Sequence, residues 1–508
     1  NHTVSDVTNF TSSSIPGGNS NTSLQNYTSS GDLQNLNNTL NLMHRYNKKG
    51  RSTTFRGKFN LNPQDKSGTL LSENGYFFSA NLLRNDTIYQ DQAQQQGAMT
   101  YGGRVGHTEP IGKRHAVEAY VDYEANDNSL DKNFFDLDAN GENPVENIGL
   151  SNDYASVFAY QKAGANWKIY TKKLTLTTGA AVQSSSLDGE IYSTGATIQK
   201  SFLNVLPFLS FRYRPKNSKN LRLSYRPQIN APTITQLQPV PDNSNPLNVI
   251  LGNPDLRAEY DHRVRLMYNV FDQFSFSSFF IAVNGNYTQN KISQRTTVDS
   301  LLQQTTQPVN VANDALLRTF ANFSTPIRKL GIKTSIDVNS TIGRSIVFIN
   351  GQENFVNRYT NGGSLRIENK RKTNYDANIG GSLSHTLTLY QDDAQLDQSY
   401  LNSTLFGEVS VFLPKGFIVM TGLDYSIYSG ADFTGTQAVP LWRAYISRKV
   451  FKNRRGLIKI AAYDLLNKNI GITRTAQINY LQEERINTLS RYILGSFSYS
   501  IVSVGNKR

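Results

Sequence analysis

In the stretch LRLSYR, Leu221, Leu223 and Tyr225 fall on one face of an extended chain, and Arg222, Ser224 and Arg226 on the other. Val264, Leu266, Tyr268 and Val270 stand against Arg263, Arg265 and Asn269 in the same way. Beyond the turn LPKG, Phe417, Val419, Leu423, Tyr425 and Ile427 oppose Gly422, Asp424 and Ser426. Side chains along a strand repeat every two residues, so this pattern predicts strands with one apolar and one polar face. We read nineteen of them, near 35–46, 51–62, 95–108, 114–126, 153–169, 174–186, 200–214, 221–230, 260–272 and 274–292, then near 314–325, 330–346, 361–369, 373–393, 399–412, 417–429, 438–451, 457–467 and 490–502.

A soluble sandwich also alternates, so the connections decide. NKKG, EPIGK, YTKK, PKNSKN, PIRK, LPKG and FKNRRG are tight turns. Between them the segments 63–94, 127–152, 231–259, 293–313 and 468–489 are long and polar, and are expected to be loops. Loops of that length are uncommon in compact domains and usually functional. Short turns on one rim and long loops on the other is the plan of an outer-membrane barrel, which a sandwich has no reason to follow. The last strand ends on the short-turn side, so counting back places residues 1–34 in an outer loop and the barrel in 35–508. Single-chain bacterial barrels have even strand numbers; an odd count leads us to expect further strands upstream.

Composition agrees with a wall wet on one side. Only 38% of the 508 residues are hydrophobic, yet the chain has 27 Tyr and 26 Phe. No apolar run reaches the ~18 residues of a membrane helix, but barrel strands need only about 9–11 alternating residues. Aromatics near strand ends, Tyr46, Tyr170, Phe271, Phe412, Phe417, Phe451 and Tyr492, suit interfacial girdles. The net charge of +13 is scattered through turns rather than gathered on one helix or sheet face, which argues against a nucleic-acid partner. With no cysteine, disulfide frameworks and thiolate metal sites are excluded.

Nine phrases in order carry a family likeness. They are HRYNKKGRS (44–52), YGGRVGHTEPIGKRH (101–115), LSNDYASVFAYQKAGANW (150–167), LPFLSFRYRPKNSKNLRLSYRP (206–227), NSNPLNVILGNPDLRAEYDHRVRLMYN, VFLPKG (411–416), PLWRAYISRKVFKNRRG (440–456), AAYDLLNKN (461–469) and RYILGSFSYSI (491–501). Together they resemble the outer-membrane β-barrel family of TonB-dependent transporter-like proteins in Bacteroidetes. The landmark is Gly252-Asn253-Pro254 followed by Glu259, and Ala258 stands where the family's pattern has proline. The resemblance implies an all-β transmembrane antiparallel barrel of 22 strands in the full protein, with about 19 (strands 4 to 22) in this chain and an N-terminal plug before them. It implies a bacterial outer-membrane location, lipid contact, a possible surface lipoprotein over the long loops, and a TonB-type energy-coupling complex reached through the N-terminal part. Two functions follow as expectations: import of a bound substrate, or service as a non-transporting barrel subunit of a larger outer-membrane complex.

Candidate chemistry is sparse. Asn-Pro and Gly-Asn form turns, so Gly252, Asn253, Pro254 and Glu259 are expected to be structural, with Glu259 accepting from Arg257 or nearby backbone. DLDANGENPVEN begins like a calcium loop, with Asp136, Asp138 and Asn140 at the first, third and fifth positions. Its twelfth position is Asn147 rather than a bidentate Glu, so a solvated acidic turn is expected ahead of Ca²⁺, the sole cofactor considered. The histidines His2, His44, His107, His115, His262 and His385 show no metal spacing, and no nucleophile elbow or HExxH occurs, so no enzyme is expected. Arg222, Arg226, Arg263 and Arg265 share polar faces that would favour anionic groups if they line the lumen.

Overall fold

The computed structural model describes residues 2–14, 19–78, 81–237, 241, 248–299, 303–349, 351–392, 394–430, 436–451, 455–469, 471–476, 481–486 and 490–501. The chain begins with strands β1 (His2–Ser14), β2 (Asn19–Leu33), β3 (Leu36–Arg45), β4 (Ser52–Leu61), β5 (Gln64–Phe78), β6 (Asn81–Ile111), β7 (His115–Asp136), β8 (Val145–Glu146) and β9 (Asn152–Tyr170). It continues with β10 (Leu174–Ile191), β11 (Ala196–Lys216), β12 (Lys219–Asn230), the single turn α1 (Ile234–Leu237), β13 (Asn248–Ile250), β14 (Glu259–Phe271), β15 (Ser278–Val298), β16 (Gln304–Ile327) and β17 (Ile332–Ile349). The last are β18 (Gln352–Asn369), β19 (Tyr375–Tyr390), β20 (Gln398–Phe412), β21 (Phe417–Gly430), β22 (Gln437–Val450), β23 (Gly456–Tyr463), β24 (Gly471–Ala476), β25 (Leu481–Ile486) and β26 (Tyr492–Tyr499).

Among the described residues, nineteen strands pair antiparallel with their neighbours in chain order: β3, β4, β6, β7, β9 to β12, β14 to β23, and β26. This is the expected all-β wall, with the expected number of strands. Register carries the alternation across it. Leu223 lies opposite Leu266 and Tyr225 opposite Val264, and Leu266 in turn lies opposite Val283. On the other face Ser224 lies opposite Arg265 and Arg226 opposite Arg263. A slip of one residue would exchange the two faces, so the apolar pattern itself specifies the pairing.

The apolar face is the outer one. Val205 and Leu405 are each 60% exposed and Ile379 63%, an exposure that water would penalise and hydrocarbon accepts. The polar face is concave. Tyr76 on β5 accepts a hydrogen bond of 2.9 Å from Gln303, in the connection between β15 and β16. In a flat sheet the strands between them would hold the two residues roughly 35–40 Å apart, so the contact requires a rolled wall. Of the predicted girdle residues, Tyr46, Tyr170, Phe271, Phe412, Phe451 and Tyr492 are exposed.

Much of what reads as long loop in the sequence is strand. β5 and the first half of β6 occupy 63–94, β7 runs on to Asp136, and β15 and β16 take up most of 293–313. Residues of the expected outer loop 1–34 form β1 and β2, which pair with each other, and β2 pairs with β5. The physical reason is composition. Segments such as NSNTSLQNYTSSGDL are polar on both faces, so they have no alternation to read, yet their backbones pair fully. β6 is 31 residues long, against the 9–11 or so that cross a bilayer, and the hairpins therefore stand well above the membrane on one rim. At the ends of the wall, β3 pairs with β4 alone and β26 with β23 alone among the described residues.

Placing a cation on the outer face tests this assignment. Leu266→Arg, near mid-wall, is expected to cost about 2–4 kcal/mol of folding stability in liposomes, measured by denaturant titration. Arg265→Leu on the opposite face is expected to leave the barrel folded.

Candidate functional site

The inner face is a lattice of charge. Glu118 on β7 accepts from Lys168 at 2.6 Å, Asn166 at 3.3 Å and Arg104 at 3.5 Å. The Arg104 guanidinium lies 3.7 Å from the ring centre of Tyr120. Lys162 pairs with Asp122 at 3.1 Å and Lys58 with Glu124 at 3.3 Å. Of these groups, Arg104, Glu118, Tyr120, Lys162, Asn166 and Lys168 line a recess of about 430 Å³ that extends to Arg226 on β12. On another stretch of wall Arg443 donates to Glu408 at 3.0 Å and to Asp424, and Arg366 lies 5.1 Å from the Phe406 ring centre. Half-exposed pairs of this kind contribute about 0–1 kcal/mol each, so their weight lies in keeping the face wet and polar.

One part of the lattice is not balanced. Arg212 lies directly opposite Arg222, and Arg226 opposite Arg263. Like charges in that position destabilise a sheet by a few tenths to about 1 kcal/mol. Arg265 adds a fifth guanidinium two residues from Arg263. Arg263 donates to Asp261 at 2.5 Å, whereas Arg212, Arg222, Arg226 and Arg265 have no carboxylate partner among the described residues. The Nε of Arg212 is buried with no acceptor. All four arginines singled out in the sequence therefore face the lumen side. Arg212 is legible by the same alternation, in FRYR, but is not among those four.

The landmark phrase closes a cap over this wall. Leu256 is 1% exposed and packs with Leu237 of α1 and with Tyr154, Leu187, Ile191 and Ile198 on the inner faces of β9, β10 and β11. Asn253 holds the loop: its amide donates to Gln236 O at 2.6 Å, its Nδ2 to Pro308 O at 3.0 Å, and its Oδ1 accepts from the Asp255 amide. The Gly252 carbonyl accepts from Gln307 at 3.1 Å, and Pro254 opens the turn at 254–255. Glu259 accepts from Lys291 at 2.7 Å, the Ile292 amide at 2.9 Å and Asn230 at 3.1 Å. The expected partner Arg257 instead uses its own amide and carbonyl, both bonded to Asn310. No signal in the sequence marks Asn310 for this role.

The calcium-like segment folds as a self-satisfied turn. Asp138 Oδ1 accepts from the amides of Asn140 and Glu142, each at 2.9 Å, and its Oδ2 from Asn143 at 2.7 Å. Asp136 accepts from Gln90 and Asn147, each at 2.7 Å. These donors, the Glu142 amide foremost, hold the Asp138 carboxyl below its ordinary range. Asn140 contributes only its backbone amide. No group of three His, Cys, Asp or Glu suited to a metal ion occurs among the described residues. His262 sits on the outer face, 2.8 Å from the Tyr225 hydroxyl and stacked among Tyr225, Tyr260 and Tyr287.

A rolled antiparallel wall, apolar outside and charged within, defines a membrane-spanning β-barrel. The chain belongs to the outer membrane protein beta-barrel family, whose model matches residues 44–499, and it is a protein of the bacterial outer membrane. In such barrels the short turns face the periplasm and the longer connections the exterior. Among solved structures it is similar to the copper transporter OprC, with 11% identity and a TM-score of 0.47 over 98% of this chain and 79% of that one. It is also similar to the ferric citrate transporter FecA in its unliganded form, with 10% identity and a TM-score of 0.48 over 97% and 75%. A third is the hemophore receptor HasR of Serratia marcescens, solved as a double mutant with its hemophore HasA and heme, with 12% identity and a TM-score of 0.46 over 98% and 80%. No curated protein matches the chain.

Two predictions follow from the cap and the acidic turn. Leu256→Ala is expected to cost about 2–5 kcal/mol locally, read as faster amide exchange at Leu237 and in 251–258 with the wall unaffected. A depressed carboxyl stabilises the turn above its unfolded pKa, and that stability is lost as pH falls through the folded value. The protection factors of the Asn140 and Glu142 amides, taken against the intrinsic exchange rate at each pH, should therefore be highest at neutral pH and fall below the ordinary carboxylate range.

Proposed function

We propose that this barrel is a TonB-dependent-type transporter that binds a substrate at its outer mouth and imports it through the lumen. The observation that supports this most is the unbalanced strip of Arg212, Arg222, Arg226, Arg263 and Arg265 on the inner wall, beneath a cap built from α1 and residues 251–258. Unmatched guanidiniums in a wet channel raise the local concentration of anions, and their fork geometry suits carboxylate and phosphate. The barrel's work is then binding and gated passage, with no bond made or broken. An N-terminal plug, moved by an inner-membrane energy-coupling complex, would supply the gate, and a surface lipoprotein over the tall hairpins would fit the same reading. Any Ca²⁺ at Asp136, Asp138 and Asn140 would have to displace the donors those oxygens already hold, a competition that calorimetry at millimolar Ca²⁺ measures.

The test compares uptake of a panel of carboxylate- and phosphate-bearing solutes in cells lacking this protein, lacking the energy-coupling protein, or carrying Arg222→Gln with Arg265→Gln. The transporter reading expects the same solute to be lost in both deletions and reduced about tenfold or more in the double variant. Uptake that survives loss of the coupling protein would sink it. Purification of the barrel with other outer-membrane proteins, and a phenotype independent of coupling, would favour the accessory-subunit reading instead.

A further inference from the structure

The net charge of the chain is concentrated on one rim. The short connections NKKGR (47–51), GKR (112–114), TKK (171–173), KNSK (216–219), RK (328–329), KRK (370–372) and PKG (414–416) hold Lys or Arg and no carboxylate. Together they contain more cations than the net charge of +13, so the rest of the chain is slightly acidic. Every lysine in them is exposed. Lys48 and Arg51 pair with Glu109, and Lys372 with Glu368 and Asp376. Lys113, Arg114, Lys172, Lys173, Lys216 and Lys219 lie in no ion pair among the described residues.

Just inside the rim stands an outward row of aromatics. Tyr46, Trp167, Tyr213 and Tyr375 are 41%, 47%, 40% and 50% exposed. Tyr213 lies opposite Leu221, Trp167 opposite Val117 and Tyr375 opposite Val411, all on the lipid-facing side of the register. Amphipathic rings settle at headgroup depth, and the cations lie a few residues further out, where lipid phosphates are. The arrangement follows the circumference from turn to turn. Adjacent turns are two strand spacings, or about 10 Å, apart, too far to converge on one free phosphate. A single protein partner would call for a patch, whereas these cations are spread over seven turns of the rim, interrupted at 272–277, which holds Asp272 and no cation.

We propose that the short-turn rim binds anionic phospholipid headgroups of the periplasmic leaflet, each basic turn serving its own headgroup. The rim would select lipid by charge and set the depth of the barrel, independently of what passes through the lumen.

The test places the full chain in nanodiscs of equal phosphatidylethanolamine and phosphatidylglycerol and counts, by native mass spectrometry, the lipids that stay bound after transfer to detergent. Wild type is expected to retain phosphatidylglycerol several-fold over phosphatidylethanolamine. The variant Lys113→Gln, Arg114→Gln, Lys172→Gln, Lys173→Gln should lose that preference about tenfold or more, since each cation near an anionic surface contributes a factor of roughly five. Lys66→Gln with Arg84→Gln, on the tall hairpins, should leave it intact. Equal retention of the two lipids by wild type, which needs no variant to fold, would overturn the proposal. So would displacement of the bound phosphatidylglycerol by millimolar inorganic phosphate, or an equal effect of the two sets of substitutions.

Discussion

The structure depends on backbone pairing held in a single register. In hydrocarbon an unpaired N–H or C=O costs several kcal/mol, so a spanning strand must find its whole ladder in its neighbours. The neighbours here are chain neighbours, and at every other connection the turn is so short that it leaves little choice of partner. Once Leu223 sits opposite Leu266, every odd or even position across the wall is committed to lipid or to lumen. The exposed valines and leucines outside and the charge lattice inside are two consequences of that one constraint.

The inner face then does what the outer face cannot. Its carboxylates and cations are mostly matched, as around Glu118 and Arg443, and these pairs keep the channel polar without adding much stability. On β11, β12 and β14 the guanidiniums outnumber their carboxylate partners. A sheet that sets Arg212 against Arg222 and Arg226 against Arg263 bears a repulsion there, as it does where Arg56 faces Arg104. Above it, the cap gathers buried apolar side chains in a core, and Leu256 fastens it there; Val347, Val356 and Tyr390 form a second such cluster.

The sequence made the wall legible because lipid demands a strict two-residue period, and Leu221, Leu223 and Tyr225 display it without a break. Turn chemistry did the same for the rims: KNSK and LPKG end strands where the structure ends them. The tall hairpins were not legible. A strand such as β2 is largely polar on both faces, so neither lipid nor a core imposes a pattern, and its pairing with β1 and β5 carries it. For the landmark, turn formation at Asn253 and Pro254 could be foreseen, but its anchors Gln236, Gln307 and Asn310 come from elsewhere in the chain. Such contacts depend on how loops fold back over a wall, which local spacing does not encode.

The absence of cysteine makes the central assignment directly measurable. Arg265→Cys and Leu266→Cys are neighbours in sequence and lie on opposite faces of β14. In liposomes, a membrane-impermeant hydrophilic maleimide is expected to label position 265 readily and position 266 hardly at all. A lipid-borne quencher is expected to reach a probe at 266 and not at 265. The reverse pattern, or equal labelling of both, would contradict a wall with lipid on its apolar face and an aqueous, arginine-lined lumen within.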